Sequence, residues 1–426
     1  MAKLLEVQLD NLPEIGKYES FNPEIYRAIL DVSKKLRGKT IIHINSTARS
    51  GGGGVAELLR SQVTFEKSLG LDSHWLTIEK VPQLFFVITK KIFNLLQGGK
   101  GLLDEEEKKF YLSINQKLAK SLEKFCRKFK DAVVVIHDPQ PLPLVQFIPQ
   151  NFYSVLRFHN DFSAPDLATL DFLRPLIEKY QAVILSNETY LDSMSWLKTS
   201  KARIIMPAID PLREKNRFME ISSAQVIIEK FSINPLKPLV TQVSRFDQWK
   251  NPLGVIQAYY LAKKDIPNLQ LALAGFFLAA DDPEAINVYN KVKKHARGDQ
   301  DIHLFADTGQ LINISNDVFI NALYTASAVV IQNSISEGFG LTITEAMWKG
   351  KAVIAGMASG PMLQIKNGEN GILVSSSQEI ARAIKQLIQD KNLRERLGKA
   401  ARESVRRQFL LPRFILDNIK LYDEIF

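Results

Sequence analysis

Glu337 and Glu345 bracket the stretch Gly338-Phe339-Gly340-Leu341-Thr342, a glycine-punctuated segment with a carboxylate at each end. Carboxylates accept hydrogen bonds from hydroxyls. Glycines let a backbone approach a ligand closely, and amides at a helix start favour an anion. The segment therefore suits a molecule that carries both hydroxyls and phosphate. A structural reading competes for one of the two acids: Thr342-x-x-Glu345 is a capping-box pattern for a helix Ile343–Lys349 that stops at Gly350. That reading leaves Glu337 unexplained.

Other segments offer complementary chemistry. In Ser244-Arg245-Phe246-Asp247-Gln248-Trp249-Lys250 two cations, Arg245 and Lys250, precede Asn251-Pro252, a good N-cap followed by a good first helical residue. A guanidinium fork and a mobile ammonium suit a diphosphate leaving group; two solvated cations are the plainer alternative. His137-Asp138-Pro139 and His159-Asn160-Asp161 follow two apolar runs. There Asp138 can accept from sugar hydroxyls and His159 can donate to a hydroxyl or a phosphate, while Asn160 or Asp161 can equally cap the next helix. Gly51-Gly52-Gly53-Gly54 opens a helix predicted over Val55–Leu69, a ready anion site. Gly51-x-Gly53-x-x-Ala56 also fits a dinucleotide fingerprint, although four consecutive glycines satisfy many patterns; no Gly-Lys-Ser/Thr follows to make a Walker loop.

These segments share a position. Each follows a short apolar, β-branched run: Thr40–Ile44, Ala132–Ile136, Ser154–Phe158, Leu239–Val243 and Ala328–Ile331. With His74–Ile78, Ala182–Leu185, Leu271–Ala274, Ile302–Phe305 and Ala352–Ala355 they alternate with helix-period segments, which predicts α/β architecture with parallel sheets buried on both faces. The Pro-rich stretch Ile204–Lys237 separates two such series, with the linker near Pro207–Leu212. The expectation is two doubly wound, Rossmann-like domains, 1–207 and 208–410, with ligands at the carboxyl ends of their strands. A last helix follows the break at Leu411-Pro412.

Bulk properties narrow the classes. A chain of 426 residues exceeds what one hydrophobic core usually serves. Lys+Arg 55 against Asp+Glu 46 gives a net charge of +9, compatible with an anionic ligand or simply with a basic surface. Basic runs with interleaved aromatics are missing, so nucleic acid is not an expected partner. A single cysteine, Cys126, excludes an internal disulfide, and without a Cys/His cluster structural zinc is not expected. Met1–Tyr18 lacks a secretory apolar core and no run is long enough to span a membrane, so a cytoplasmic protein is expected.

In this order the segments resemble the GT-B glycosyltransferases, specifically the retaining family 4 group with its Glu-x7-Glu motif. Within it they are most similar to the trehalose glycosyltransferring synthases. The resemblance rests on Ile42-His43-Ile44-Asn45-Ser46-Thr47, Gly52-Gly53-Gly54-Val55-Ala56-Glu57, Asp210-Pro211-Leu212-Arg213-Glu214-Lys215-Asn216, Thr241 to Lys250, Asp281-Asp282-Pro283-Glu284, and Glu337 to Gly350. It implies two Rossmann-like domains facing a central cleft, with 1–207 on the acceptor side, 208–410 binding the nucleotide sugar, and a terminal helix of about 411–426 crossing back onto the first domain. It further implies that Arg245 and Lys250 hold the diphosphate, that Glu345 holds ribose hydroxyls, and that Glu337 contacts the donor sugar. Gly52, Gly53 and Gly54 would close over the phosphates, beside Gly338, Phe339, Gly340, Leu341 and Thr342; Asp138 and His159 would face the acceptor and the reacting sugar. The reaction implied moves glucose from UDP- or ADP-glucose to a sugar acceptor, glucose itself giving trehalose. No cofactor beyond that donor is required on this resemblance; Mg2+ is possible but not implied by a motif, and a homodimer stays open. Three segments depart from the pattern: Asn160-Asp161-Phe162-Ser163, Ser186-Asn187-Glu188, and Ser359-Gly360-Pro361 in place of a Gly-Gly. The first two bear on the acceptor. Three other classes remain: a disaccharide phosphorylase of the same fold, a dinucleotide oxidoreductase, and a non-catalytic sugar-binding homologue.

Overall fold

The computed structural model describes residues 2–9, 11–48, 54–276, 285–311 and 313–426. Gly51, Gly52, Gly53 and the segment Asp281 to Glu284 therefore lie outside the described residues. The chain forms two compact units that divide between Pro207 and Ala208 and again between Leu410 and Leu411, so the last helix, Leu411–Ile425, belongs with the first unit.

In the first unit β1 (Lys3–Glu6), β2 (Thr40–Asn45), β3 (Asp72–Glu79), β4 (Val133–His137), β5 (Tyr153–Arg157), β6 (Ala182–Leu185) and β7 (Ala202–Ile204) form a sheet ordered β1-β3-β2-β4-β5-β6-β7. All pairs are parallel except β1 on β3. One face carries Ile42, Ile44, Val134, Ile136 and Leu156 against apolar residues of the helices Gln83–Leu96 and Glu105–Cys126. Cys126 is buried in that layer, and burial pushes its thiol up to about 12, which keeps it inert.

The second unit holds β8 (Leu239–Val243), β9 (Gln270–Ala274), β10 (Ile302–Phe305), β11 (Val329–Gln332), β12 (Ala352–Gly356) and β13 (Ile372–Val374), all parallel, in the order β10-β9-β8-β11-β12-β13. Strand order reverses between β2 and β4 in the first sheet and between β8 and β11 in the second. Neighbouring loops diverge at such switch points and leave a crevice beyond the strand ends. The expected parallel α/β architecture is present in both halves, and all ten sequence-predicted strands exist. The sequence missed the short peripheral strands β1, β7 and β13, three or four residues each.

Candidate functional site

The crevice of the second sheet is built from the loops after β8 and β11. Gln242, buried near the end of β8, joins them: its Oε1 accepts from the Asn333 amide at 3.0 Å and its Nε2 donates to the Lys250 carbonyl at 3.1 Å. The Ile335 amide donates to the Trp249 carbonyl at 2.8 Å, a second tie between the loops. Buried Phe246 anchors the first loop edge-on against Tyr289, and Asp247 turns it by accepting from the Trp249 amide at 2.9 Å. Asn251 then caps the helix Pro252–Lys263, accepting from the Gly254 amide with φ 44°, as the sequence predicted.

With both loops fixed, Lys250 Nζ donates to Glu337 Oε2, which also accepts from Ser334 Oγ at 3.2 Å. The pair is partly exposed, 17% and 13% for the two side chains, so a charged molecule can still compete for either member. Arg245 lies in the same loop with its guanidinium 3.4 Å from Asp247 Oδ2 and 31% exposed.

The stretch between the two acids differs from its sequence reading. The helix starts at Leu341, not Ile343, because Gly340 takes φ 89° and turns the chain into it; no side chain caps it. The capping box Thr342–Glu345 is not made. Glu345 is buried and pairs instead with Lys215 Nζ at 2.6 Å and accepts from Tyr324 Oη at 3.1 Å. Gly350 does end the helix region in the left-handed conformation, φ 69°. Phe339 is buried against Phe409, and the carbonyls of Phe339 and Gly340 accept from Gln364 Nε2. Gly360 presses onto this turn: a Cβ there would lie 2.6 Å from Phe339 Cα and 2.7 Å from the Glu337 carbonyl. That contact accounts for a glycine at Gly360, and Ser359 Oγ donates to the Glu337 carbonyl at 3.1 Å.

At the first sheet's switch point Asp138 follows β4 with φ 64°, a strained conformation for a non-glycine residue. Its Oδ1 accepts from the His159 amide at 2.7 Å, so the structure does bring Asp138 and His159 together. Neither Asn160 nor Asp161 caps the following helix. Asp161 Oδ1 accepts from the amide and hydroxyl of Ser163, and the helix Leu167–Ile177 starts later on Asp166. Asn160 is buried, and among the described residues neither of its side-chain polar atoms has a partner. Gly54 opens the helix Gly54–Ser68, one residue before its predicted start, while Gly52 and Gly53 lie outside the described residues.

Several residues in these constellations had no assigned role in the sequence. Lys215 and Gln242 are two; His43, Glu66 and His137 are three more, forming a hydrogen-bonded series that ends on His159. The available signal was a polar residue inside an otherwise apolar strand, as in Ile41-Ile42-His43-Ile44. Burial and the neighbouring imidazoles hold His137 neutral well below the ordinary histidine range, and burial does the same for His159. Among the described residues no group of three or more His, Cys, Asp or Glu is placed to hold a metal, and no helix is long and apolar enough to cross a membrane.

Comparison with known proteins follows the same division. Residues 43–192 match the family described as trehalose synthase, N-terminal domain, and residues 223–404 match the glycosyl transferases group 1. The chain is 39% identical over 401 residues to a trehalose synthase of Thermococcus litoralis, covering 93% of each protein. It is 36% identical to a trehalose synthase of Rubrobacter xylanophilus, covering 94% of each. A trehalose phosphorylase of Pleurotus pulmonarius is 25% identical, matching 93% of this chain but only 58% of its own length. Among solved structures, the sucrose-phosphate synthase of Thermosynechococcus elongatus superposes with a TM-score of 0.69 over 91% of this chain and 99% of that one, at 19% identity, which speaks for the GT-B fold.

Proposed function

The chain belongs to the trehalose synthase family of the group 1 glycosyl transferases, and we propose that it moves glucose, with retention of configuration, from a nucleoside-diphosphate glucose to glucose, giving trehalose. The observation that carries the donor chemistry is the Lys250–Glu337 pair at the β8/β11 switch point, with Arg245 in the same loop. A diphosphate competes for the ammonium, which frees Glu337 to accept from hydroxyls of the donor sugar. Glu345 is assigned to ribose hydroxyls and the amides of Leu341 and Thr342 to phosphate, beside Gly338, Phe339 and Gly340. In the first unit Asp138 and His159 are assigned to sugar hydroxyls and Gly52, Gly53 and Gly54 to phosphate.

In the step itself the bond from the sugar's anomeric carbon to the phosphate oxygen breaks, and a bond to the acceptor oxygen forms on the same face. The acceptor's hydroxyl proton passes to the departing phosphate oxygen. Arg245 and Lys250 lower the barrier by meeting charge that develops on that phosphate. No metal enters this scheme, so turnover should survive EDTA; turnover lost to EDTA and restored by Mg2+ would contradict it.

The test is incubation with UDP-, ADP- or GDP-glucose against a panel of acceptors that includes glucose, with the product and its anomeric configuration identified. An α,α-linked disaccharide is expected; an inverted linkage rejects the mechanism, and turnover with other acceptors but not with glucose rejects the acceptor. The likeness to a trehalose phosphorylase supports one second reading. Trehalose breakdown that requires inorganic phosphate and ignores nucleoside diphosphates would establish it in place of the first.

A further inference from the structure

His43, His137 and His159 lie on a diagonal of the first sheet. His43 on β2 is in register with Val135, and two residues further along β4 is His137; His137 is in register with Arg157, and two residues past that is His159. A displacement of two residues keeps a side chain on the same face, so each step crosses one strand spacing without leaving it. The imidazoles meet accordingly: His43 Nδ1 lies 3.1 Å from His137 Nε2, and His137 Nδ1 lies 3.1 Å from His159 Nε2. At the inner end His43 Nε2 lies 3.1 Å from Glu66 Oε2, supplied by the helix Gly54–Ser68 that covers this face.

We propose that Glu66 sets the tautomers of these three histidines in series, and thereby fixes His159 to present a bare Nδ1, a hydrogen-bond acceptor, to a sugar hydroxyl. The donors around Glu66 decide which ring nitrogens carry protons. Glu66 is fully buried and accepts at Oε2 from Ser73 Oγ at 2.6 Å, and at Oε1 from Gln62 Nε2 at 2.8 Å and Tyr422 Oη at 3.4 Å. The Gln62 amide nitrogen can only donate, and Glu66 as a carboxylate can only accept, so with Glu66 ionised His43 Nε2 carries the proton between them. A neutral imidazole protonated at Nε2 is an acceptor at Nδ1. His43 Nδ1 therefore takes a proton from His137 Nε2, and His137 Nδ1 takes one from His159 Nε2. Neutrality of His137 and His159 is supported by burial and by the Arg157 guanidinium, buried on the same face and held by the Ile205 carbonyl, Asn418 Oδ1 and the ring of Phe414. A proton added to either outer imidazole would face that cation. The remaining nitrogen, His159 Nδ1, takes no hydrogen bond from any described residue. A bare nitrogen accepts from hydroxyls and repels phosphate oxygens, which narrows the role His159 can play. The assignment of that hydroxyl to a sugar rests on the proposed function; the tautomer series does not.

The test is a two-bond proton–nitrogen correlation spectrum of the full chain with 15N-labelled histidine, the three rings being assigned by single substitutions. In the unaltered chain all three are expected as Nε2–H tautomers, and Nδ1–H at His159 overturns the proposal on that spectrum alone. Glu66→Gln can turn an amide N–H toward His43 Nε2, so all three rings should switch to Nδ1–H; an unchanged pattern in the folded variant also overturns it. Kinetics supply the second arm. Glu66→Gln should lower kcat by about 10- to 100-fold in the native background and by less than about 2-fold when His159 is alanine, because its effect travels through that ring. Equal losses in both backgrounds would make Glu66 merely structural and reject the relay. The spectrum needs no turnover, so a chain with the expected tautomers but no glucosyl transfer would sink the proposed function and leave the relay standing.

Discussion

At the switch point between β2 and β4 the polar groups run inward along the sheet, imidazole to imidazole, to a carboxylate under a helix. At the one between β8 and β11 they run outward into loops, and full charges meet at a partly exposed ion pair. The two halves share a topology and differ in what they present at these strand ends. Neutral groups with fixed donor and acceptor roles can be buried in series at modest cost because each is satisfied by the next. An ammonium and a carboxylate cannot be buried so cheaply unless paired, and a pair left partly exposed can exchange its partner for a ligand. The first arrangement suits recognition of neutral hydroxyls and the second suits a charged leaving group.

Breaking the charged side should have the largest effect. Lys250→Ala is expected to cut kcat by about 10²- to 10³-fold, on the order of 3 to 4 kcal/mol of transition-state stabilisation, by analogy with one lost oxyanion donor. Nucleotide binding, measured by calorimetry, should survive in part because Arg245 remains. Near-normal turnover would remove Lys250 from the chemistry and with it the contrast between the halves.

The neutral side predicts a pH signature instead. His137 and His159 titrate below the ordinary histidine range when folded, so the unfolded chain binds their protons first as pH falls. Their contribution to stability is thus intact above the unfolded value of roughly 6.5 and is lost as pH drops below it, at up to about 1.4 kcal/mol per pH unit for each ring. His137→Gln, compared with the native chain by urea unfolding between pH 7 and pH 5, should flatten that dependence. Parallel curves for the two proteins would mean the rings are not held neutral.

What the sequence made legible follows the same divide. Apolar runs located every strand that supports the two crevices, and the loop residues Asp138, His159, Arg245, Lys250 and Glu337 could be placed because each lies in a segment that follows such a run. The histidine diagonal was hidden because His43, His137 and His159 are far apart in the chain and meet only through the register of three strands. Gln242 was hidden for another reason: its value lies in backbone groups of two loops, which no side-chain pattern records. Strands β1, β7 and β13 are too short, and too little buried, to show a periodicity.

Gln242→Leu should have an effect of intermediate size. It leaves the Asn333 amide and the Lys250 carbonyl without their partner, at a cost of about 1 to 3 kcal/mol. For a domain near 200 residues that corresponds to a fall of roughly 3–9 °C in the melting midpoint of the second unit. Donor KM should rise as well, since the loop bearing Lys250 is no longer tied to the one bearing Glu337. A lower midpoint with unchanged donor KM would show that the staple serves stability alone.

The smallest expected effect separates two readings of one motif. If Thr342 capped its helix with Glu345, Thr342→Ala would cost about 1 kcal/mol. In the structure Gly340 turns the chain at φ 89° with no side-chain cap, and Glu345 is committed to Lys215 and Tyr324. Thr342 is then an ordinary first-turn residue, and alanine, the better helix former, should change stability by no more than about 0.5 kcal/mol. Glu345→Gln should cost more, because it removes the charge facing a Lys215 ammonium whose side chain is only 11% exposed. Equal losses for the two variants in denaturant unfolding would restore the capping box and return Glu345 to a local structural role.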